Sequence, residues 1–587
     1  MCGIAGIMTR DGAAPPPRQL EALAAALAHR GPDGEGRHVA GGTGLVHTRL
    51  AIIDLETGGQ PLFGPNGTAL VANGEIYNYV ELKAAMPDVR FATASDCEPP
   101  LHLFAAEGAD CVRHLRGMYA IAIVDAAEGR LVLSRDPFGI KPLYYAETDL
   151  GLAFASEPAA LLAAGIVPRG IDPRAATELL QLQFTTGRET IFPGIARVMP
   201  GETLVAGQGR VIGRSRRPAL PMGGPLDLDE DEALARLDAA LMDSVAVHER
   251  ADVPYGLFLS GGVDSSVVLA AMRRLSNNPV RAYTAGFPGT AARDERAHAA
   301  KVARAAGADH VMVEVTEDDF WQSLPAIAGA MDDPVADYAV VPTWKLAAEA
   351  AKDLKVVLSG EGGDELFAGY GRYRSSLRPW WLGGRAMRPR GILDGLGVLR
   401  AAPTGWRDGI AAAERRLAGQ GLSRLQAAQA VDCADWLPHD LLVKLDRCLM
   451  AHALEGRTPL LDPAVAEIAF RLPDRLKIRD GKGKYLLRRW LERHLPEADP
   501  FAPKRGFTVP VGDWISGQGA RLGPLIAADP AIAEICRPGA VAPLFRETGK
   551  RAAMAAWTLL FYALWHRIHV RGLPREGDVF SALADAR

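Results

Sequence analysis

Cysteine is scarce in this chain of 587 residues: there are six, at positions 2, 97, 111, 433, 448 and 536. None forms a Cys-x-x-Cys pair or a metal-ligand spacing. A disulfide framework and a structural zinc site are therefore not expected, and a reducing compartment is. Long apolar runs are lacking too. The longest candidate, Ala555 to Val570, is too short for a bilayer and is interrupted by His566 and Arg567. The chain does not begin with the charged and apolar regions of a signal peptide, so a cytoplasmic protein is expected. Charge of one sign is equally absent. Lys and Arg number 66 against 70 Asp and Glu, for a net charge of −4. That balance argues against nucleic acid or an anionic membrane as partner. The basic cluster Arg214-Ser215-Arg216-Arg217 reads as a solvated linker. No repeat or low-complexity segment occurs, and the length predicts two to four domains with ample core.

Two patterned regions flank a poorer one. Residues 1–208 alternate short apolar runs with Gly and Asn turns: Gly44–His47, Ala69–Gly74 and Tyr119–Asp125 are examples. Such runs predict a strand-rich, largely antiparallel domain, with Leu20–His29 as one of its few helices. Residues 209–230 turn to Gly, Pro, Arg and Asp and read as a linker. From 231 to 587 lies a second domain. Helical periodicity over Glu230–Glu249 is followed by strands at Gly256–Leu259, Val280–Phe287, His310–Val315 and Val356–Leu358. Helices at Ser265–Leu275 and Asp294–Ala306 alternate with them, predicting βαβ units and a parallel sheet. Beyond 380 the pattern is mainly helical.

Cys2 is the first candidate for chemistry. If Met1 is removed, as a small second residue allows, Cys2 carries a thiol beside a free α-amine of pKa about 7.7–8.0. Nucleophile and base then belong to one residue, suited to attack on an amide carbonyl. On position alone Cys2 reads first as a small residue near a frayed end, and only the motifs that follow it reverse that reading.

Leu259-Ser260-Gly261-Gly262-Val263-Asp264-Ser265-Ser266 lies between a predicted strand and a predicted helix. Glycines there let backbone N–H groups approach an anion, and the helix N-terminus adds positive potential. The serines supply hydroxyls, and Asp264 can hold a magnesium ion bridging phosphates. The lysine of a Walker A loop is missing. The string resembles the PP-loop of ATP pyrophosphatases, which cleave ATP between its α and β phosphates. A second glycine-rich strand end, Ser359-Gly360-Glu361-Gly362-Gly363-Asp364-Glu365, suits nucleotide and metal at a sheet's carboxyl edge. Lys444, Lys482, Lys484 and Lys504 are further cations that could face phosphates, although by composition each reads as a surface lysine.

Cys2-Gly3-Ile4-Ala5-Gly6, His29-Arg30-Gly31-Pro32-Asp33, Arg49-Leu50-Ala51-Ile52-Ile53-Asp54, Asn73-Gly74-Glu75-Ile76-Tyr77-Asn78 and Ser95-Asp96 occur in that order. Together they resemble the N-terminal-nucleophile (Ntn) glutaminase domain of class II amidotransferases. Followed by the PP-loop half, nearly the whole chain is similar to the glutamine-hydrolysing asparagine synthetases. The resemblance implies an α/β and α+β architecture: an Ntn-hydrolase four-layer αββα sandwich, then a PP-loop (adenine nucleotide α-hydrolase-like) parallel-sheet domain with a helical C-terminal part. It implies Cys2 as nucleophile, Asn73 and Gly74 as oxyanion hole, and glutamine held by Arg49, Leu50, Ala51, Ile52, Ile53, Glu75 and Asp96. ATP would lie against Leu259, Ser260, Gly261, Gly262, Asp264, Ser265, Ala285, Ser359 and Gly360. Asp264 and Asp364 would bind Mg2+, with Glu361 acting in acyl-adenylate formation and Lys484 in charge stabilisation. A homodimer is also implied by analogy.

The implied reaction activates aspartate as β-aspartyl-AMP with release of pyrophosphate. Neutral ammonia from glutamine would reach it through an internal apolar passage. Departures from the family pattern fall at Cys97-Glu98-Pro99-Pro100, where two prolines are expected to disturb the first helical turn beside Asp96. They fall also at Asp337–Pro342 and Glu455–Thr458, segments expected to shape the acceptor pocket. The alternatives are the same architecture acting on a sugar or peptide carboxylate, a non-catalytic sensor, and a β-lactam-forming cyclase. Retained Cys2, Asp264 and Glu361 argue against the sensor, and Cys2 argues against the cyclase.

Overall fold

The computed structural model describes residues 2–289, 296–382, 384–503 and 509–584. Alternation along the early strands is two-sided. In Gly3–Thr9, Ile4 and Met8 enter one core while Ala5 and Ile7 enter another; in Gly117–Asp125, Ala120, Ala122 and Val124 face away from Tyr119, Ile121 and Ile123. Strands apolar on both faces must be covered on both, which requires layers. Two six-stranded antiparallel sheets result. One runs Ala196–Arg197, Tyr144–Glu147, Gly151–Ala155, Gly3–Thr9, Thr43–Arg49, Gly34–Ala40; the other runs Arg210–Arg216, Glu202–Gly207, Arg130–Arg135, Gly117–Asp125, Thr68–Ile76, Leu62–Phe63. Ile4, Leu45, Val71, Ala122 and Phe154 fill the space between them. Leu20, Leu23 and Leu27 of helix Pro17–Leu27 cover the first sheet, and Leu101 and Phe104 of helix Pro99–Glu107 cover the second. This is the expected αββα sandwich.

The segment read as a linker from 209 onward begins instead with a strand. Arg210–Arg216 pairs antiparallel with Glu202–Gly207 as the edge of the second sheet. Its arginines, which suggested a solvated linker, are tied down: Arg214 donates to the Tyr145 hydroxyl at 2.8 Å and Arg216 to the Pro200 carbonyl at 2.9 Å. Charged edge strands also resist pairing with other chains. Helix Glu230–His248 follows, capped by Asp229, whose carboxylate accepts from Glu232 N at 2.8 Å.

The second half is built on a five-stranded parallel sheet in the order Asp309–Glu314, Arg281–Gly286, Tyr255–Phe258, Val356–Leu358, Glu455–Arg457. The first four strands were expected; Glu455–Arg457, three residues with no apolar side chain, was not. Strand order reverses between Tyr255–Phe258 and Val356–Leu358, so a crevice opens at their carboxyl ends. Helix Arg296–Ala305 occupies most of the expected Asp294–Ala306 helix; Asp294 lies outside the described residues, as do Met1 and Lys504–Phe507. The C-terminal part is helical, centred on Lys550–His569, where Trp557 and Trp565 are buried and donate to Ala336 and Met331 carbonyls. No helix among the described residues is long and apolar enough to cross a membrane.

The halves share one apolar core. Leu50, Ile52, Tyr77, Met118 and Ile140 pack in the same cluster as Leu257, Leu358 and Leu460.

Candidate active sites

Cys2 precedes the central strand of the first sheet, where an end of the second sheet meets it. Its backbone N donates to Asn73 Oδ1 at 3.2 Å, its carbonyl accepts from Arg30 Nε at 3.1 Å, and its thiol faces the Leu50 carbonyl at 4.0 Å. Burial pushes the Cys2 thiol above its ordinary pKa, so the sulfur rests protonated and needs a base. With Oδ1 committed to Cys2, Asn73 Nδ2 points away, fully buried and without a hydrogen-bond partner among the described residues. Gly74, at φ +152°, has no room for a Cβ, which would collide with the Met118 carbonyl. Only glycine permits the second sheet to run so close here.

Glu75 and Asp96 are both buried near Cys2, and Asp96 Oδ2 accepts from Ile76 N at 2.7 Å. Burial, reinforced by Glu455 and Asp96, raises Glu75 well above the usual carboxylate range; burial also raises Asp96. Leu50, Ala51 and Ile52 are buried and Ile53 is half-buried, with Ala51 N donating to Asp33 at 2.8 Å. The Arg49 guanidinium is anchored on the carbonyls of Asp54 and Leu55 rather than turned toward Cys2. Pro99 and Pro100 open their helix without disturbing it. They occupy its first positions, where no N–H is required, and Glu98 accepts from Ala92 N and Thr93 N at 2.7 Å each.

The second site is a cavity of about 380 Å³ at the switch point of the parallel sheet, within the range of small-molecule sites. Its wall contains the nine positions expected against ATP, Leu259, Ser260, Gly261, Gly262, Asp264, Ser265, Ala285, Ser359 and Gly360, together with Glu361, Asp364 and Lys484. Ser260 and Ser265 hydroxyls lie 3.1 Å apart and fold the first loop over the start of helix Val263–Leu275. A Cβ at Gly360 would stand 2.8 Å from Ser265 N, so the two loops touch backbone to backbone.

Lys484 adopts φ +60°, a strained conformation for lysine, with its N bonded to the Phe367 carbonyl at 2.9 Å. Its ammonium bridges Asp264 and Asp364, 2.7 Å from the latter. Burial opposes its charge, but the two carboxylates override that and raise its pKa. Among the described residues no three His, Cys, Asp or Glu side chains form a metal cage. Asp264 and Asp364 nevertheless present the oxygen donors that suit magnesium, an ion taking most of its ligands from water and phosphate. Burial raises Glu361; Lys444, buried beside it, pairs with Asp337 at 2.9 Å. Lys482 stays outside the cavity, donating to the Phe501 carbonyl at 2.6 Å.

A buried ionic network joins the sites. Arg30 is bidentate to Asp446 at 2.9 and 3.1 Å and also reaches Glu157 at 2.6 Å; Arg447 takes Asp332 at 2.7 Å and Asp446 at 2.8 Å. Helix Leu442–Met450 thus carries both Lys444, in the cavity wall, and Asp446, which is linked through Arg30 to the Cys2 carbonyl. Nothing in the spacing of Arg30 and Asp446 along the chain indicates that they meet. Glu455–Thr458, expected near the acceptor, also carries Arg457 to within 3.4 Å of Glu75.

Comparison with known proteins agrees with this geometry. The sequence profile of the glutamine amidotransferase domain matches residues 1–215, and that of asparagine synthase matches residues 236–567. A Mycobacterium tuberculosis protein provisionally named asparagine synthetase (glutamine-hydrolysing) is 35% identical, covering 97% of both chains. Asparagine synthetase (glutamine-hydrolysing) 1 of Bacillus subtilis is 32% identical over 98% of both. Amidase chry2 of Gibberella zeae is 31% identical over 64% of this chain and 60% of its own. With an amidotransferase half carrying Cys2 and a cavity at the switch point of the other half, the chain belongs to the glutamine-hydrolysing asparagine synthetase family of enzymes.

Proposed function

We propose that the protein makes asparagine from aspartate, using ATP and ammonia released from glutamine, through β-aspartyl-AMP with glutamate, AMP and pyrophosphate as products. The observation carrying this reading is the pairing of a buried Cys2–Asn73 site with a Ser260–Asp264–Lys484 cavity through one shared core. After loss of Met1, the α-amine of Cys2 takes the thiol proton as sulfur attacks the glutamine amide. Asn73 Nδ2 and Gly74 N–H receive the developing oxyanion, Glu75 and Asp96 the α-ammonium, and Arg49 swings from its carbonyl anchors to the α-carboxylate. Ammonia leaves as the thioester forms, and water then releases glutamate.

In the other half the loop Ser260–Ser265 and the helix start behind it hold phosphates, with adenine against Leu259 and Ala285. Lys484 offsets charge on the departing pyrophosphate, and Glu361 orients the acceptor. Asp264 and Asp364 would hold Mg2+, whose charge would screen the phosphates. The apolar contact of Leu50, Ile52 and Met118 with the synthetase core favours ammonia over ammonium along the junction.

A second reading, amidation of a different carboxylate, draws on Lys444. Asp337 already engages its ammonium, and Asp440 is a further buried acid beside it, so an incoming α-carboxylate must compete for that cation. Purified enzyme given aspartate, glutamine and ATP should release pyrophosphate and asparagine in equal amounts. Glutamate release without either product would exclude aspartate as acceptor.

A further inference from the structure

The strand Glu455–Arg457 lies at the sheet edge with its two faces sharply different. Gly456 sits against Leu445 and Leu449, where a Cβ would come within 2.8 Å, so Glu455 and Arg457 project together from the opposite face. Arg457 is wholly buried. Its Nε donates to Glu455 Oε1 at 2.6 Å and its Nη1 to the carbonyls of His248 and Arg250 at 2.8 and 2.7 Å. All these contacts belong to the synthetase half. The remaining nitrogen, Nη2, stands 3.4 Å from Glu75 Oε2, within ion-pair distance, yet neither atom makes a hydrogen bond among the described residues. A carboxylate oxygen held beside a fixed guanidinium with its lone pairs unused is placed to receive a ligand cation. Arg457 also touches the other site: its carbonyl accepts from Ser359 N at 2.8 Å.

We propose that Arg457 is a positioning residue of the glutamine pocket, supplied by the synthetase half to hold Glu75 aimed at the substrate's α-ammonium. This rests on the assignment of Glu75 to that ammonium. Glu75 needs such help. It is buried among Cys2, Tyr77, Asp96, Cys97 and Glu455, and Arg457 is the side-chain cation that opposes its protonation. The glutamine site is then complete only where the two halves meet.

Full-length R457Q and R457K, with wild type, are tested by glutamate release over a pH range. Removing the charge in R457Q should raise the glutamine KM about tenfold, the equivalent of 1.4 kcal/mol, with a smaller change in kcat. The pH below which KM climbs should move upward, because Glu75 then takes a proton more readily. R457K should raise KM about threefold with that midpoint near wild type. A folded R457Q with unchanged glutamine KM and midpoint overturns the proposal. If R457Q does not fold, a wild-type KM in R457K overturns it instead. Failure of the underlying pocket assignment looks different: E75Q would then leave the glutamine KM at its wild-type value.

Discussion

Asn73→Ala isolates one proposed catalytic contact more cleanly than any other substitution in the glutaminase half. The substitution removes Oδ1, which accepts from Cys2 N at 3.2 Å, and Nδ2, which is buried with no partner among the described residues. An unsatisfied buried amide has already lost its water on folding, a penalty of about 1–3 kcal/mol. Relieving that penalty offsets the lost Cys2 hydrogen bond, worth about 0.5–1.5 kcal/mol, and much of the small cavity left behind. Net stability should therefore change by no more than about 1 kcal/mol. The transition state fares differently. Nδ2 gains its first partner only when the oxyanion forms, so its removal should cost about 2.7–4 kcal/mol, or 10²–10³ in kcat. Glutamate release and urea unfolding on the same protein measure both quantities. A kcat loss below tenfold, or a stability loss matching the activity loss, would falsify the assignment of Nδ2 as an oxyanion donor.

Cys2→Ala should abolish glutamine-dependent amide formation while added ammonium still supports it; loss of both in a folded variant would contradict two separate sites. Asp446→Asn leaves Arg30 buried with Glu157 as its main partner, so a destabilisation of about 3 kcal/mol is expected in urea unfolding. An unchanged midpoint would show the network contributes nothing. Burial and neighbouring Asp364 push the Glu365 carboxyl up to about 8. The folded chain then retains a proton that the unfolded chain loses near pH 4.5. This group's contribution is full below pH 4.5 and is lost as pH rises toward 8, with a slope of about 1.4 kcal/mol per unit. Glu365→Gln should flatten that slope, read from unfolding midpoints at pH 5 and pH 8.

Much of the nucleotide site was legible because its residues are consecutive. Ser260 to Ser265 and Ser359 to Asp364 each follow an apolar strand, and any parallel sheet brings such strand ends to one edge. Cys97-Glu98-Pro99-Pro100 misled locally, since proline at the first helical turn gives up no hydrogen bond. Arg210–Arg216 misled through its charges, because an edge strand with a solvated face reads like a loop. Glu455–Arg457 was invisible as a strand: three residues carry no period, and only pairing with Val356–Leu358 makes them extended.

Local chemistry written along the chain, a thiol at position 2, an Asn-Gly pair and two glycine-rich loops, was enough to indicate the family and the fold of each half. How the halves meet was a matter of tertiary structure alone. Arg30 finds Asp446, and Glu75 finds Arg457, across more than three hundred residues. A buried charge accepts whichever partner the packing brings within reach, and nothing in the spacing of the chain records which one that will be.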